Sequence, residues 1–255
     1  MFFRQLLQDD TACASYLFGC KSTSQFAVVD PHVDLVDSYV SLAEREGAGI
    51  VAVLETHVQA DHVSGLPALV DRTGATPYLP AGANVAFEHR ALEDGEVVEL
   101  GNDRVQAVAT AGHRPAHHAY LVTDTTRSAE PWLVFTGDVL LIGDAGRPDL
   151  HAHDGADGPE AMARRLHRSI HERLLTLPDH LLVFPAHYAG SVCGRGLSAT
   201  PVSSVGFERR HNPALQAASE DEFVEELMKE PPPVPGNVEE VVQANRTGRP
   251  LARAG

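Results

Sequence analysis

The feature that most constrains this chain is the run Gly49–Leu54, apolar from end to end, which gives way abruptly to Glu55-Thr56-His57. A continuous apolar stretch of strand length, without the alternation of a half-solvated strand, reads as a strand buried on both faces. The same punctuation recurs along the chain. Arg104–Thr110 leads into Ala111-Gly112-His113-Arg114-Pro115-Ala116-His117, Trp132–Val134 into Phe135-Thr136-Gly137-Asp138, and Leu181–Val183 into Phe184-Pro185-Ala186-His187. The first run leads into Thr56-His57-Val58-Gln59-Ala60-Asp61-His62. A lone histidine after a strand is usually a cap or a surface residue, and a lone Thr-Gly-Asp is usually a turn. Four such sites at one topological point form a pattern that chance rarely produces. Imidazole and carboxylate on rigid strand ends are the usual ligands of a divalent transition metal.

The intervening segments supply the rest of an interleaved chain. Ser15–Phe18 and Gln25–Val29 read as strands, and Leu35 to Ala43 recur at helical spacing up to Gly47. A helix is expected from about Val63 to Arg72, then strands at Thr76–Leu79, Glu96–Leu100 and Ala119–Thr123. Pro159 opens a helix to about Leu175. Strands outnumber helices and alternate with them, which implies an α/β (α+β) chain with two sheets covered by helices. Past residue 210, Asn212-Pro213 can begin one helix, Ser219 can cap another to Lys229, and Val238–Asn245 can form a last turn or two. The expected division is a catalytic domain over 1–217 and a helical appendage over 218–255, packed on the same body.

Composition excludes several partners. With 20 basic and 35 acidic side chains the formal net charge is −15, and no basic stripe offsets the repulsion a phosphate backbone would feel. Nucleic acid is therefore not an expected partner. No apolar run reaches the roughly 18 residues that span a bilayer, so no membrane partner is expected. Met1-Phe2-Phe3-Arg4-Gln5 lacks the layout of a signal peptide. Three cysteines, Cys13, Cys20 and Cys193, cannot build a disulfide framework, so a cytoplasmic location is the default. The 14 histidines fit a metal protein.

The ordered ligand set resembles the metallo-β-lactamase superfamily, whose pattern is His-x-His-x-Asp-His, then a His, a bridging Asp and a final His. Phe3-Arg4-Gln5-Leu6, Ser15-Tyr16-Leu17, Val29-Asp30-Pro31, Thr136-Gly137-Asp138-Val139-Leu140, Leu177-Pro178-Asp179 and the Gly143–Leu150 stretch resemble its persulfide dioxygenase (sulfur dioxygenase) branch. Gly194 to Leu215 is similar to the subgroup often fused to rhodanese domains. The resemblance implies an αβ/βα sandwich with two mixed β-sheets flanked by helices. It also implies a mononuclear Fe(II) site, one iron per chain, held by His57, His113 and Asp138. Two histidines and a carboxylate form the facial triad that leaves positions open for a substrate and O2.

One position departs from the pattern: the second histidine is Gln59. An amide oxygen is a weak substitute for imidazole toward zinc, so the change damages a hydrolase more than a dioxygenase. Gln59 then reads as a hydrogen-bonding residue facing the iron's waters. Asp61, His62 and His187 are expected either to support the ligands or to hold a second metal, with Asp138 able to bridge. The implied reaction oxidises a low-molecular-weight thiol persulfide, glutathione persulfide by family default, with O2 to sulfite and thiol. The alternative is a zinc-dependent hydrolase of the glyoxalase II kind; a third reading is a sulfur-binding protein with a degraded site. Arg147 is the candidate grip for a substrate carboxylate, with a salt bridge to Asp149 or Asp144 as its structural alternative. Tyr188 can reach substrate or pack in the core, and no protein residue beyond the metal centre is required as catalyst. Cys193 reads as a small buried hydrophobe or as a sulfur-carrying thiol. His117 and His118 read as structural or solvent-facing, and His151 and His153 as part of a polar loop. Homodimers are common in the family, although no segment here marks an interface.

Overall fold

The computed structural model describes residues 1–150, 157–229, 231, 233, 234 and 236–249. His151 and His153 lie outside them. Chain order in the first half is β1 (Phe2–Gln8), β2 (Cys13–Cys20), β3 (Gln25–Val29), α1 (Val36–Arg45), β4 (Gly49–Leu54), α2 (Leu66–Thr73), β5 (Thr76–Pro80) and β6 (Arg90–Leu92). These strands form one sheet in sequence order, antiparallel from β1 to β3 and parallel from β3 to β6. The second half adds β7 (Val97–Leu100), β8 (Asp103–Ala109), β9 (His118–Asp124), β10 (Leu133–Gly137), β11 (Leu140–Leu141), β12 (Asp144–Ala145), α3 (Pro159–Arg168), β13 (Leu182–Pro185), β14 (Ser203–Ser204), α4 (Val205–His211), α5 (Glu220–Met228) and α6 (Val238–Thr247). Its sheet runs β14-β13-β10-β9-β8-β7, with a parallel pair at β10–β13. The expected sandwich of two mixed sheets flanked by helices is what the chain forms.

The alternation of side chains along each strand sorts the apolar residues into layers. On β2, Ala14, Tyr16 and Phe18 face the space between the sheets, while Leu17 faces the helices with Phe26, Tyr39 and Leu69. On β10, Leu133 and Phe135 point inward and Val134 points outward, toward Leu166, Ile170 and Phe223. Tyr16 and Phe135 meet across the sandwich with ring centroids 4.6 Å apart. Strand β4 is covered on both faces over residues 52–54, while Val51 near its start is 39% exposed, so the burial on both faces expected from its composition holds only for its second half.

Several boundaries differ from expectation for physical reasons. The helix expected from Val63 begins at Leu66, because Val63 is tied to Val33 and Ser64 bridges to His32 before Gly65 opens α2. The helix from Pro159 follows one path but widens to π geometry over Ser169–Leu174. Asn212-Pro213 opens only a 3-10 turn, its side chain accepting from the Ala214 amide; the α-helix there is α4, just before it. Ser219 caps α5 as expected, accepting from the Glu222 amide. Both C-terminal helices pack on the body. Phe223, Val224 and Leu227 of α5 join the cluster around α3, and Val238 and Val242 of α6 lie against Ala60, Leu150 and Cys193. Among the described residues no helix is long and apolar enough to cross a membrane.

Candidate metal centre

The ends of β4, β8, β10 and β13 converge at one edge of the sandwich, and each delivers the residue its sequence placed there. His57, His113, Asp138 and His187 are all buried to within 1% of full coverage. Asp138 Oδ2 lies 3.7 Å from His57 Nε2 and 3.6 Å from His113 Nε2, and it makes no hydrogen bond. Edges of that length admit an ion about 2.0–2.2 Å from each donor. A buried carboxylate oxygen without a donor, facing two imidazole nitrogens, is the arrangement a cation completes.

The surroundings fix both tautomers. Thr56 has one hydroxyl proton, which goes to Asp30 (2.9 and 3.0 Å), so its oxygen accepts from His57 Nδ1 at 2.9 Å. The Nε2 lone pair of His57 is thereby left facing Asp138. His113 Nδ1 donates to the Arg147 carbonyl at 2.8 Å, with the same consequence at its Nε2. Burial holds both imidazoles below the usual range; for His57 the neighbouring His113 and His117 add to the effect. They are neutral, as ligands must be. His117 is buried, stacks on His57 at 5.1 Å and accepts from the Asp138 amide at 3.2 Å, so it is structural. Gly137 holds φ +53°, and a Cβ there would strike His117 and Thr56. His118 is also buried.

A second group forms beside the first. His187 Nδ1 contacts Asp138 Oδ1 and His187 Nε2 contacts Asp61 Oδ2, each at 2.6 Å. Burial opposes charge on this ring, yet the two carboxylates push it well above the usual imidazole range. His62 Nδ1 lies 3.2 Å from Asp61 Oδ1. The sequence reading missed Cys13, whose sulfur lies 3.3 Å from both His62 Nδ1 and His187 Nε2 and 3.5 Å from Asp61 Oδ2. A β-bridge between Cys13 and His187 brings it there, and no local spacing announces it.

Other expectations fare differently. The Gln59 amide is turned not outward to a metal's waters but toward buried carboxylates, 3.2 Å from Asp30 Oδ1 and 3.5 Å from Glu55 Oε2. Those acids, both raised chiefly by burial (Asp30 to about 6), need donors. Arg147 spends its guanidinium on a bidentate pair with Asp149 at 2.8 and 2.7 Å, the structural alternative; its carbonyl, not its charge, serves the site through His113. Tyr188 directs its hydroxyl to Asp9 at 2.7 Å. Cys193 is buried near Asp138 and His187, and burial pushes its thiol up. A further residue escaped the sequence: Asn245 of α6 donates to the Gln59 and His62 carbonyls (3.0 and 2.9 Å) and accepts from the Ser64 amide (2.9 Å).

Residues 9–187 match the family model of the metallo-beta-lactamase superfamily. The chain belongs to that superfamily. Within it, the chain is 28% identical over 249 residues to the mitochondrial persulfide dioxygenase ETHE1 of Bos taurus, covering 96% of this chain and 87% of that one. It is 32% identical over 216 residues to a hydroxyacylglutathione hydrolase of Pseudomonas entomophila, covering 75% and 77%. Among solved structures, ETHE1 from Myxococcus xanthus superposes with a TM-score of 0.83 at 31% identity, over 97% of this chain and 99% of that one. A metallo-beta-lactamase from Staphylococcus aureus superposes at 0.89 with 30% identity, over 100% of this chain and 75% of that one.

Proposed function

We propose that the chain is a mononuclear Fe(II) persulfide dioxygenase, with His57, His113 and Asp138 as the iron ligands. The net reaction is RSS⁻ + O2 + H2O → RSH + SO3²⁻ + H⁺, with glutathione as the default thiol. The observation that carries the reading is the unpartnered Asp138 Oδ2 between two tautomer-fixed imidazoles, with Gln59 standing where hydrolases of the superfamily place a third histidine. Iron, when bound, supplies the redox chemistry that lets O2 react with a thiolate sulfur. The protein's part is to hold the ligands. Thr56 and the Arg147 carbonyl orient the two rings, and His117 holds the Asp138 backbone. Likeness to persulfide dioxygenases over nearly the whole chain supports the assignment. In the same reading residues 1–217 are the catalytic domain, 218–255 an appendage packed on it, and the location is cytoplasmic.

The test is anaerobic iron reconstitution, metal analysis, and O2 uptake on glutathione persulfide. One iron per chain with O2 uptake and sulfite release is expected. Two zincs per chain with cleavage of a glutathione thioester and no O2 uptake would instead establish the hydrolase reading that the hydroxyacylglutathione hydrolase relatives favour.

A further inference from the structure

We infer that a cavity lined by Arg114 and Arg246 is the subsite for the glycyl carboxylate of a glutathione-type substrate. The inference rests on the proposed reading for its thiol and deepens it by naming the group that is gripped. The cavity holds about 140 Å³, and Val58, Gly82, Asn84, Ala116 and the two arginines line it. Val58 and Arg114 each directly follow a residue of the triad, His57 and His113. One wall is shaped by the backbone, because Gly82 and Asn84 hold φ of +85° and +53° in the turn after β5. The opposite wall comes from α6. The Arg246 carbonyl accepts from the Ala86 amide at 2.8 Å, one residue beyond the Asn245 that ties this helix to residues 59–64.

A chain of net charge −15 does not draw anions from a distance, so two guanidinium groups on one small cavity supply a local attraction that the rest of the chain lacks. Arg114 is 3% exposed, and its charge is felt at the metal centre: burial holds His57, His113 and His117 low, and Arg114 adds to the effect at each. A guanidinium carries five donors in a planar fork, so each arginine can keep a neighbour within the protein and still present an edge to a carboxylate. A water takes up about 30 Å³ in the liquid, so the cavity has room for about five non-hydrogen atoms. That suits a glycyl arm and excludes a nucleotide. The γ-glutamyl end of glutathione carries an ammonium beside its carboxylate, which two arginines repel, so the glycyl end is the one that fits. Cysteine and glycine are consecutive residues, with Cα atoms about 3.8 Å apart, so a sulfur placed at the triad leaves the glycyl carboxylate close to the residues that follow the ligands. The grip expected of Arg147 is thereby moved to Arg114 and Arg246, since Asp149 occupies the Arg147 guanidinium.

Calorimetry on the iron-loaded full chain would compare glutathione with its glycyl ethyl ester, in the unsubstituted chain, Arg114→Gln and Arg246→Gln. The ester should bind the unsubstituted chain about tenfold or more weakly, the worth of a hydrogen bond to a charged group. Each substitution should weaken glutathione by a similar factor and leave the ester unchanged. KM for the two persulfides should follow the same pattern, with the change falling on KM and not on kcat. Equal affinity for glutathione and ester in the unsubstituted chain overturns the inference, as does undetectable binding of both. It is also overturned if both substitutions leave glutathione binding intact, or if they weaken the two ligands alike, which is the mark of a structural effect. The comparison in the unsubstituted chain needs no variant, so the test stands even where Arg114→Gln fails to fold. Ester discrimination without O2 uptake refutes the dioxygenase reading only, whereas O2 uptake without ester discrimination refutes the subsite only.

Discussion

Replacing Asn245 with alanine should loosen the metal-bearing loop without touching a ligand. The Asn245 amide lies in α6, is 8% exposed, and makes three hydrogen bonds to the backbone of residues 59–64. Each buried hydrogen bond contributes about 1 kcal/mol net, so Asn245→Ala is expected to lower stability by about 3 kcal/mol. Water entering the vacated space would reduce that figure. The loss falls on residues 59–64, which hold Asp61 and His62 and directly follow the ligand His57, so metal affinity should drop about 10–100-fold, as it does when groups that orient ligands are removed. Urea unfolding of the metal-free chain measures the first effect, and competition for iron with a graded chelator measures the second. Asn245→Asp keeps the acceptor for the Ser64 amide but sets a carboxylate against two carbonyls, and should be at least as damaging. Refutation is simple to recognise. An Asn245→Ala chain with an unchanged urea midpoint and unchanged iron affinity would mean that the Val33–Val63 and Gly65–Pro31 backbone bonds hold the loop alone.

Asp138→Asn removes the charged donor of the triad and should reduce iron content at least tenfold after reconstitution, read by metal analysis. Arg147→Lys should leave KM and kcat within about twofold while lowering stability by about 1–3 kcal/mol, because the bidentate pair with Asp149 is lost. A KM raised tenfold at constant kcat would return Arg147 to the substrate. Gln59→His should leave iron at one per chain and lower stability by about 1 kcal/mol, through loss of the donor to Asp30 and Glu55. Asp103 is buried with neither carboxylate oxygen hydrogen-bonded, and burial raises it to about 7. The folded chain keeps this proton longer than the unfolded one, so stability present below about pH 4 is lost as pH rises toward 7. Asp103→Asn should therefore gain thermal stability relative to the parent at pH 8 more than at pH 5, and an equal difference at both would contradict the shift.

What the sequence revealed was what is encoded locally. Gly49–Leu54 forms a strand over those same residues, and its apolar second half is covered on both faces while Val51 stays exposed. His57, Asp138 and His187 were legible because each closely follows an apolar run, and His113 because it closely follows the alternating strand β8. Strand β1 was not anticipated: its pattern Phe-Phe-Arg-Gln-Leu-Leu-Gln lies at a sheet edge, mostly half-buried, and shows neither alternation nor an apolar run. Helix α4 rests on the Ser204 cap and a few buried contacts, too short for periodicity to register. Cys13 and Asn245 reach the site across the sandwich and from the far end of the chain. Contacts of that kind depend on topology, and no spacing in the sequence reports them.

Gln59 shows how these levels join. The sequence marked it only as a missing ligand, a subtraction from a histidine motif. In the fold, the two acids beneath it, Asp30 and Glu55, are fully buried and need donors, and Asp30 already takes the Thr56 hydroxyl that orients His57. A histidine turned toward a metal could not also supply the Gln59 amide protons to these carboxylates. The substitution therefore removes a third imidazole from the first group and adds support to the chain of contacts Gln59–Asp30–Thr56–His57. A ligand set reduced to two imidazoles and one carboxylate, with one imidazole held more firmly, suits a centre that must keep coordination positions open. The residue that weakens a zinc hydrolase is, by this argument, one of the supports of the iron site proposed for His57, His113 and Asp138.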